Sequence, residues 1–442
     1  MSETVSLLQA LIRNRCVNDG TPESGQESRS VDTLAQYFGM AGELFEPVPG
    51  RTSAVYRVRG RRPDAPGLLL MGHTDVVPVN EAGWTRDPFG GEIHDDFVWG
   101  RGSVDMLNLT ASMAVAFKPY LSGALEPPAG DLVFLAVADE EAAGALGAKP
   151  LVEDRWDLVH AEYVLTEIAY PALDMGGEPG YPVSVSEKGT FWTHLTSRGV
   201  PGHGSVPYGA DNAIETLVGG LGGLFESEMP VGVSDEWRAF VSSLGLPPDR
   251  AEELVDPDRV DRAIARLAED DPRLAAYIHA CTHMTISPNV FDGGTKANMV
   301  PDRAVAQVDI RALPGQTRRD VDLHLRKAMG TAGDRIELEP VADFEASSSS
   351  PGNPLWDVVV DSIEELTGSR RVVPTIMPAA TDARFFRRRG SIAYGVGLFD
   401  DRVTFPDFLA MFHGHDERVS LESVDRTTRL MATVLERWAG RG

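Results

Sequence analysis

The chain has 442 residues, 42% of them apolar, and a formal net charge of −25 at pH 7. That length exceeds what one hydrophobic core usually serves, so two domains are expected, and the acidic balance argues against nucleic acid and anionic membrane surfaces as partners. The two cysteines, Cys16 and Cys281, lie far apart, which excludes a disulfide framework and fits a reducing cytosol.

No stretch approaches the ~18 apolar residues of a membrane span. The first segment, MSETVSLLQALIRNRC, lacks the layout of a signal peptide, so a soluble cytoplasmic protein is expected. It reads instead as an amphipathic helix with Leu7, Leu8, Leu11 and Ile12 on one face. The apolar runs GLLLMG (67–72), DLVFLAVA (131–138) and EYVLTE (162–167) read as buried parallel strands. MLNLTASMAVAF (106–117) reads as a helix, and AAGALGAKPLVE (142–153) begins another. This alternation predicts an α/β fold, a mostly parallel sheet sandwiched by helices.

Near residue 186 the pattern changes. GTFWTHLTSRG (189–199) and RAVAQVDIRAL (303–313) alternate like half-exposed antiparallel strands, with helical ADNAIETLVGGLGGLF (210–225) between them. The expected organisation is an α/β domain from two segments, 1–186 and 346–442, interrupted by an inserted α+β domain, 187–345. The loop ASSSSPGN (346–353) reads as a plain connector, after which Asn353 caps a helix with Pro354 at its first position.

In open α/β sheets, ligands bind beyond the carboxyl ends of the strands. There the first run delivers His73 and Asp75, the second Asp139, Glu140 and Glu141, and the third Glu167. Asp105 opens a helix after the glycine-rich turn GRGSVDML, and FLAMF (408–412) runs into His413, His415, Asp416 and Glu417. Singly, each is ordinary; Glu140-Glu141 alone would simply complement a helix dipole. Together, so many carboxylates at one sheet edge would repel each other unless cations bound there. Imidazole and carboxylate donors suit zinc, and also manganese or cobalt. An aspartate bridging two ions ~3.5–4 Å apart, with one His and one carboxylate on each side, makes a two-metal site that turns a bridging water into a nucleophile. Such a site needs one unliganded carboxylate to take the proton, which Glu140 beside Glu141 offers. Asp75, two residues past His73, is placed to orient the His73 ring.

The segments GHTDVVPV, WGRGSVDM, ADEEAAGALGA, SRGVPGHGSVP, NMVPDRAVAQVDIR, TDARFFR and FHGHDERV, in this order across nearly the whole chain, resemble the dinuclear zinc peptidase and aminoacylase family. That family includes aminoacylases, carboxypeptidases G and S, acetylornithine deacetylase and succinyl-diaminopimelate desuccinylase. The resemblance implies that His73 and Glu167 bind one metal, Glu141 and His413 the other, and Asp105 both. It makes Glu140 the general base and proton donor, Asp75 the orienter of a ligand, and His203 the group that polarises the scissile carbonyl. In dimeric members this histidine comes from the partner subunit, so a homodimer through the inserted lid domain is among the expectations. Asn298 and Arg311 would line the substrate pocket, and Arg384 would pair with a substrate carboxylate. The resemblance also implies a cis Asp105–Met106 peptide.

Two departures fall at the pocket margin: Leu107-Asn108 stands where the family has Lys-Gly, and Ala379-Ala380 where it has a glycine-rich loop. The expected activity is hydrolysis of the amide bond of an N-acyl amino acid or short peptide with a free carboxylate, aided by two divalent ions. The rivals are a metal-binding relative without catalysis and a serine hydrolase, for which GHGSVP around Ser205 breaks the required elbow pattern. The rival for Arg384 is a solvated helix face shared with Arg387 and Arg388, and His415 is expected at the surface.

Overall fold

The computed structural model describes residues 2–175 and 177–441. Its larger sheet has ten strands. Four at its centre run parallel, in the order Leu132–Val137, Leu68–His73, Tyr163–Thr166 and Ile392–Gly395. Antiparallel strands flank them, Ser53–Val58 on one side and Pro179–Glu187 on the other.

The apolar runs are continuous because both sheet faces are covered. Leu68, Leu70, Leu132 and Phe134 face a core built with the helices Leu107–Leu121, Pro354–Thr367 and Leu421–Gly440. Leu69, Met71, Val133 and Leu135 face the opposite core, with Ala148–Asp154 and Ala383–Arg388. Glu3–Arg13 is the expected first helix, and Leu7, Leu8, Leu11 and Ile12 are all buried. Asn353 caps Pro354–Thr367 by accepting from the backbone N–H groups of Leu355 and Trp356 at 3.1 and 3.2 Å. No helix among the described residues is long and apolar enough to cross a membrane.

The smaller sheet has five strands, and all its pairings are antiparallel. The run 189–199 forms two of them, Gly189–Thr190 and Thr193–Arg198. Helices Ala213–Glu226 and Arg318–Gly333 cover one face around Phe191, Leu195, Leu217 and Leu325.

Residues of the segment 187–345 contribute to two cores. Between Asp235 and Thr282 it forms four helices. Their buried residues Trp237, Phe240, Tyr277 and Ile278 join the core of the larger sheet. Tyr277 Oη donates to the Ile376 carbonyl at 3.0 Å. An amphipathic pattern shows that a helix has an apolar face but not which sheet that face covers. The serine run also differs from a plain connector: Ser347–Ser348 pairs with Glu187 and Ser186.

The chain crosses between the sheets at Lys188, which is 1% exposed. Its backbone N–H donates to Met377 and its ammonium to the His283 carbonyl at 2.8 Å and Thr285 Oγ1 at 3.1 Å. Burial pulls its pKa from an ordinary 10.5 to about 7. Between these values the folded chain holds fewer protons than the unfolded one, so this group's contribution to stability improves as pH rises. The wild-type Tm, measured relative to Lys188→Met, is expected to climb from pH 7 to pH 10; a flat difference refutes the depressed ammonium.

Candidate metal centre and substrate pocket

The strand Leu68–His73 ends in His73, whose ring is 1% exposed. Gly72 permits this placement, because a Cβ there would lie 2.3 Å from Thr110 Oγ1, which donates to the His73 carbonyl. Ring Nδ1 meets the Asp75 backbone carbonyl at 2.9 Å. With the proton on Nδ1, Nε2 is left to face Asp105 Oδ1 at 3.1 Å and Glu167 Oε2 at 3.4 Å.

The second group forms around the other oxygen of Asp105. His413 Nε2 lies 3.4 Å from Asp105 Oδ2 and 3.3 Å from Glu141 Oε2. Thus His73, Asp105 and Glu167 form one set of donors able to hold a metal, and Asp105, Glu141 and His413 form another, each within 4.8 Å. Glu140 belongs to neither set but lines the same cavity.

Three strand ends and two loops bring these groups together. Glu167 follows Tyr163–Thr166, where Gly395 of the adjacent strand lets the backbones close up: a Cβ there would lie 2.3 Å from the Glu167 carbonyl carbon. Glu140 and Glu141 sit on a single 3₁₀ turn after Leu132–Val137, entered through Asp139 at φ 71°. The Asp105–Met106 peptide is cis, as the resemblance implied, and so is Glu167–Ile168, which nothing in the sequence announced.

The electrostatics describe a hole for positive charge. Burial and the Glu167 charge push the Glu140 carboxyl well above the ordinary range, and burial first of all pushes Glu167 to about 8. Burial pulls the His413 imidazole down, but Asp105 and Glu141 outweigh it and carry it up to about 10. Glu141 Oε1 is buried without a hydrogen-bond partner. An acceptor-only oxygen left bare among buried carboxylates fits a cation site, and the donor set of imidazoles and carboxylates fits zinc, cobalt or manganese.

A cavity of about 240 Å³ opens on this cluster. Its walls include Arg311 from the smaller sheet and Trp192 from the link between its strands Gly189–Thr190 and Thr193–Arg198, with Phe344, Met377, Arg384 and Phe412. Arg384 is 2% exposed, so it does not lie on a solvated face. Its guanidinium donates to the backbone carbonyls of Thr381 and Ala143, stacks 4.4 Å from Phe385, and leaves Nε unpartnered. Arg387 pairs with Glu187 at 3.1 Å. Arg311 is held by Asp309 at 2.7 Å and Thr190 at 2.9 Å.

His203 and Asn298 do not line this cavity. His203 lies on a two-stranded ribbon, Gly202–His203 against Met299–Val300, and Asn298 lies in the turn just before the second strand, where its carbonyl accepts from the Gly204 N–H at 2.8 Å. Both residues are exposed. His415 is likewise at the surface.

Asp75 meets the His73 ring through its main chain rather than its side chain. Its backbone carbonyl, not its carboxylate, takes the close contact with the His73 ring; carboxylate Oδ1 is 3.7 Å away. The carboxylate instead accepts from the backbone N–H groups of Glu140 and Glu141 at 3.2 and 3.1 Å. Glu417, which the sequence showed only as a polar residue after FLAMF with no role, is fully buried and accepts from the Val104 and Asp105 N–H groups at 2.7 and 3.1 Å and from Arg101 at 2.6 Å. It ties the Asp105 turn to the His413 loop. Its one signal was an acidic residue four positions after His413.

Comparison with known proteins shows the family. The model of peptidase family M20/M25/M40 matches residues 69–437. Succinyl-diaminopimelate desuccinylase from Rhodospirillum centenum is 27% identical, over 99% of this chain and 97% of its own. Mouse aminoacylase-1 is 26% identical, over 98% and 95%. Among solved structures, an M20 family metallo-carboxypeptidase from Sulfolobus solfataricus superposes with a TM-score of 0.73 at 19% identity, covering 99% of this chain and all of that one. The chain therefore belongs to peptidase family M20/M25/M40 and is a hydrolase of the amide bonds of peptides or acyl amino acids.

Proposed function

We propose that the protein is a two-metal amidohydrolase acting on N-acyl amino acids or short peptides that carry a free carboxylate. The observation that carries this reading is the pair of donor sets sharing Asp105, with Glu140 beside them and outside both. His73 and Glu167 would hold one ion, Glu141 and His413 the other, and Asp105 both. Zinc suits these donors best, with cobalt or manganese as substitutes. Bound there, such ions would acidify a water and draw charge from the scissile carbonyl.

The rest falls to the chain's own groups. Glu140 takes the proton of the attacking water and returns it to the leaving amine. Arg384 has a planar fork with unused donors and reads the substrate carboxylate, with Arg311 and Asn298 completing the recognition. His203 donates a hydrogen bond to the oxyanion. It lies off the cavity, so it arrives by closure or from a second copy of the chain.

Dimerisation through the inserted segment is supported by its surface. The edge strand Thr285–Gly293 exposes Val290 and Phe291, and the helix Ala213–Glu226 exposes Val218 and Phe225. In this reading 1–186 and 346–442 form the catalytic domain, joined by the helices of 235–282, and the remainder of 187–345 forms the lid. Two buried, free cysteines support a cytoplasmic setting.

The test is a panel of N-acyl amino acids and dipeptides assayed with added zinc, cobalt or manganese. Hydrolysis is expected, abolished by a chelator and restored by metal; none across the panel refutes the reading. Arg384→Lys is expected to raise KM ~10-fold while kcat falls less, because a fork becomes a point charge. Equal activity on a substrate and its carboxamide analogue would show that no carboxylate is read.

A further inference from the structure

We propose that Asn18 is a positioning residue for the turn that carries Glu140 and Glu141, acting as a neutral clamp between the carboxylates of Asp75 and Asp139. The inference rests on the hydrolase reading above, in which Glu140 is the base.

Asn18 is 3% exposed. Its side-chain amide nitrogen donates to Asp75 Oδ2 at 2.8 Å and to Asp139 Oδ1 at 3.2 Å. Its carbonyl oxygen accepts from the Gly20 N–H at 3.0 Å. A backbone N–H can only donate, so this contact fixes which end of the amide faces the carboxylates.

Both carboxylates control the catalytic turn. Asp75 accepts from the backbone N–H groups of Glu140 and Glu141, while its own carbonyl takes the His73 ring. Asp139 begins the turn in the left-handed region and accepts from the Leu146 N–H at 2.7 Å beyond it. Two buried, acceptor-only groups side by side need donors, and a second cation between them would compete with the metal centre. An amide supplies two N–H groups and no charge. The strand end bearing His73 and the turn bearing Glu140 are thereby fixed relative to one another.

The clamp is itself anchored. The Asn18 N–H donates to the Val76 carbonyl at 2.9 Å, and the Val76 N–H to the Cys16 carbonyl at 2.9 Å. Behind Asp139, fully buried Arg51 donates to Asp139 Oδ1 at 2.6 Å and forms a two-point pair with Glu27 at 2.9 Å on each arm. Thus residues 18–27, Arg51 and Asp139 form one closed polar network ending at the base-bearing turn.

A misplacement of about 1 Å at a reacting group costs up to ~10²-fold in rate, so Asn18→Leu is expected to lower kcat ~10–10²-fold. KM should change less than ~3-fold and both ions should stay bound, since no ligand and no substrate contact is lost. Elemental analysis, Tm and steady-state kinetics on the metal-loaded enzyme separate these quantities. The discriminating measurement is a cycle with Glu140→Gln: in that background Asn18→Leu should change single-turnover rates by less than ~3-fold, because its effect runs through the Glu140 carboxylate. Additive losses would mean a general structural role and would overturn the proposal. Asn18→Ser keeps a donor for one carboxylate and serves if the leucine variant does not fold; its expected loss is ~3–10-fold in kcat at unchanged KM. Normal kcat in either folded, metal-loaded variant overturns the clamp while leaving the hydrolase reading intact. Absence of wild-type hydrolysis on the whole panel takes both down.

Discussion

Glu140→Gln is expected to keep both metal ions and lose ~10²–10⁴-fold in kcat, the usual cost of removing a general base. The geometry separates these two effects. Neither candidate donor set includes Glu140, so the substitution leaves both sets intact. The turn is held by the Glu140 and Glu141 backbone N–H groups on Asp75, which a side-chain change leaves in place. Only a carboxylate facing the cavity is exchanged for an amide of the same shape. That carboxylate lies among Glu167, Glu141 and Asp382, and burial with their charge drives its proton affinity well up. Cations bound in the proposed sites would pull in the other direction, and that balance would suit the proposed role of taking a proton and returning it within one turnover. Metal content by elemental analysis, set beside kcat, decides the matter. A metal-loaded Glu140→Gln enzyme with near-normal kcat removes Glu140 from the mechanism.

Much of this site is legible in sequence because of what parallel sheets demand. A strand buried on both faces must be apolar until it ends, so the first polar residues after each run mark one edge of the sheet. His73, Glu140, Glu141 and Glu167 stand out in that way. The supporting network does not. Asn18 meets residues 57 and 121 positions away, and Arg101 meets Glu417 across 316. Such contacts have no periodicity, and an asparagine in a loop looks the same whether it clamps two carboxylates or faces water. Spacing also misleads where charge and burial conflict. Arg384, Arg387 and Arg388 share a face by helical spacing, yet the first two turn inward to backbone carbonyls and to Glu187.

Removing His203 is expected to cost ~10²–10³-fold in kcat, the loss that follows deletion of one oxyanion donor. KM should move little, because the contact strengthens only as charge develops on the oxygen. In one copy of the chain this histidine is exposed and off the cavity, hydrogen-bonded at 2.7 Å to Ser205. Its turn also presents Val206 and a fully exposed Tyr208, an apolar surface beside the proposed oxyanion donor. A second copy related by two-fold symmetry and joined through the edge strand Thr285–Gly293 and the helix Ala213–Glu226 would lay each His203 turn against the other subunit's cavity and exchange one histidine each way. Complementation tests this arrangement. His203→Ala and Glu140→Gln homodimers should each be nearly inactive. Re-formed heterodimers hold one site with Glu140 from one subunit and His203 from the other, and a second site lacking both. Activity should therefore return on mixing, in proportion to the heterodimer fraction measured by native mass spectrometry. Verified heterodimers that stay inactive would show that His203 serves its own subunit by closure, and a His203→Ala enzyme with normal kcat would remove it from catalysis altogether.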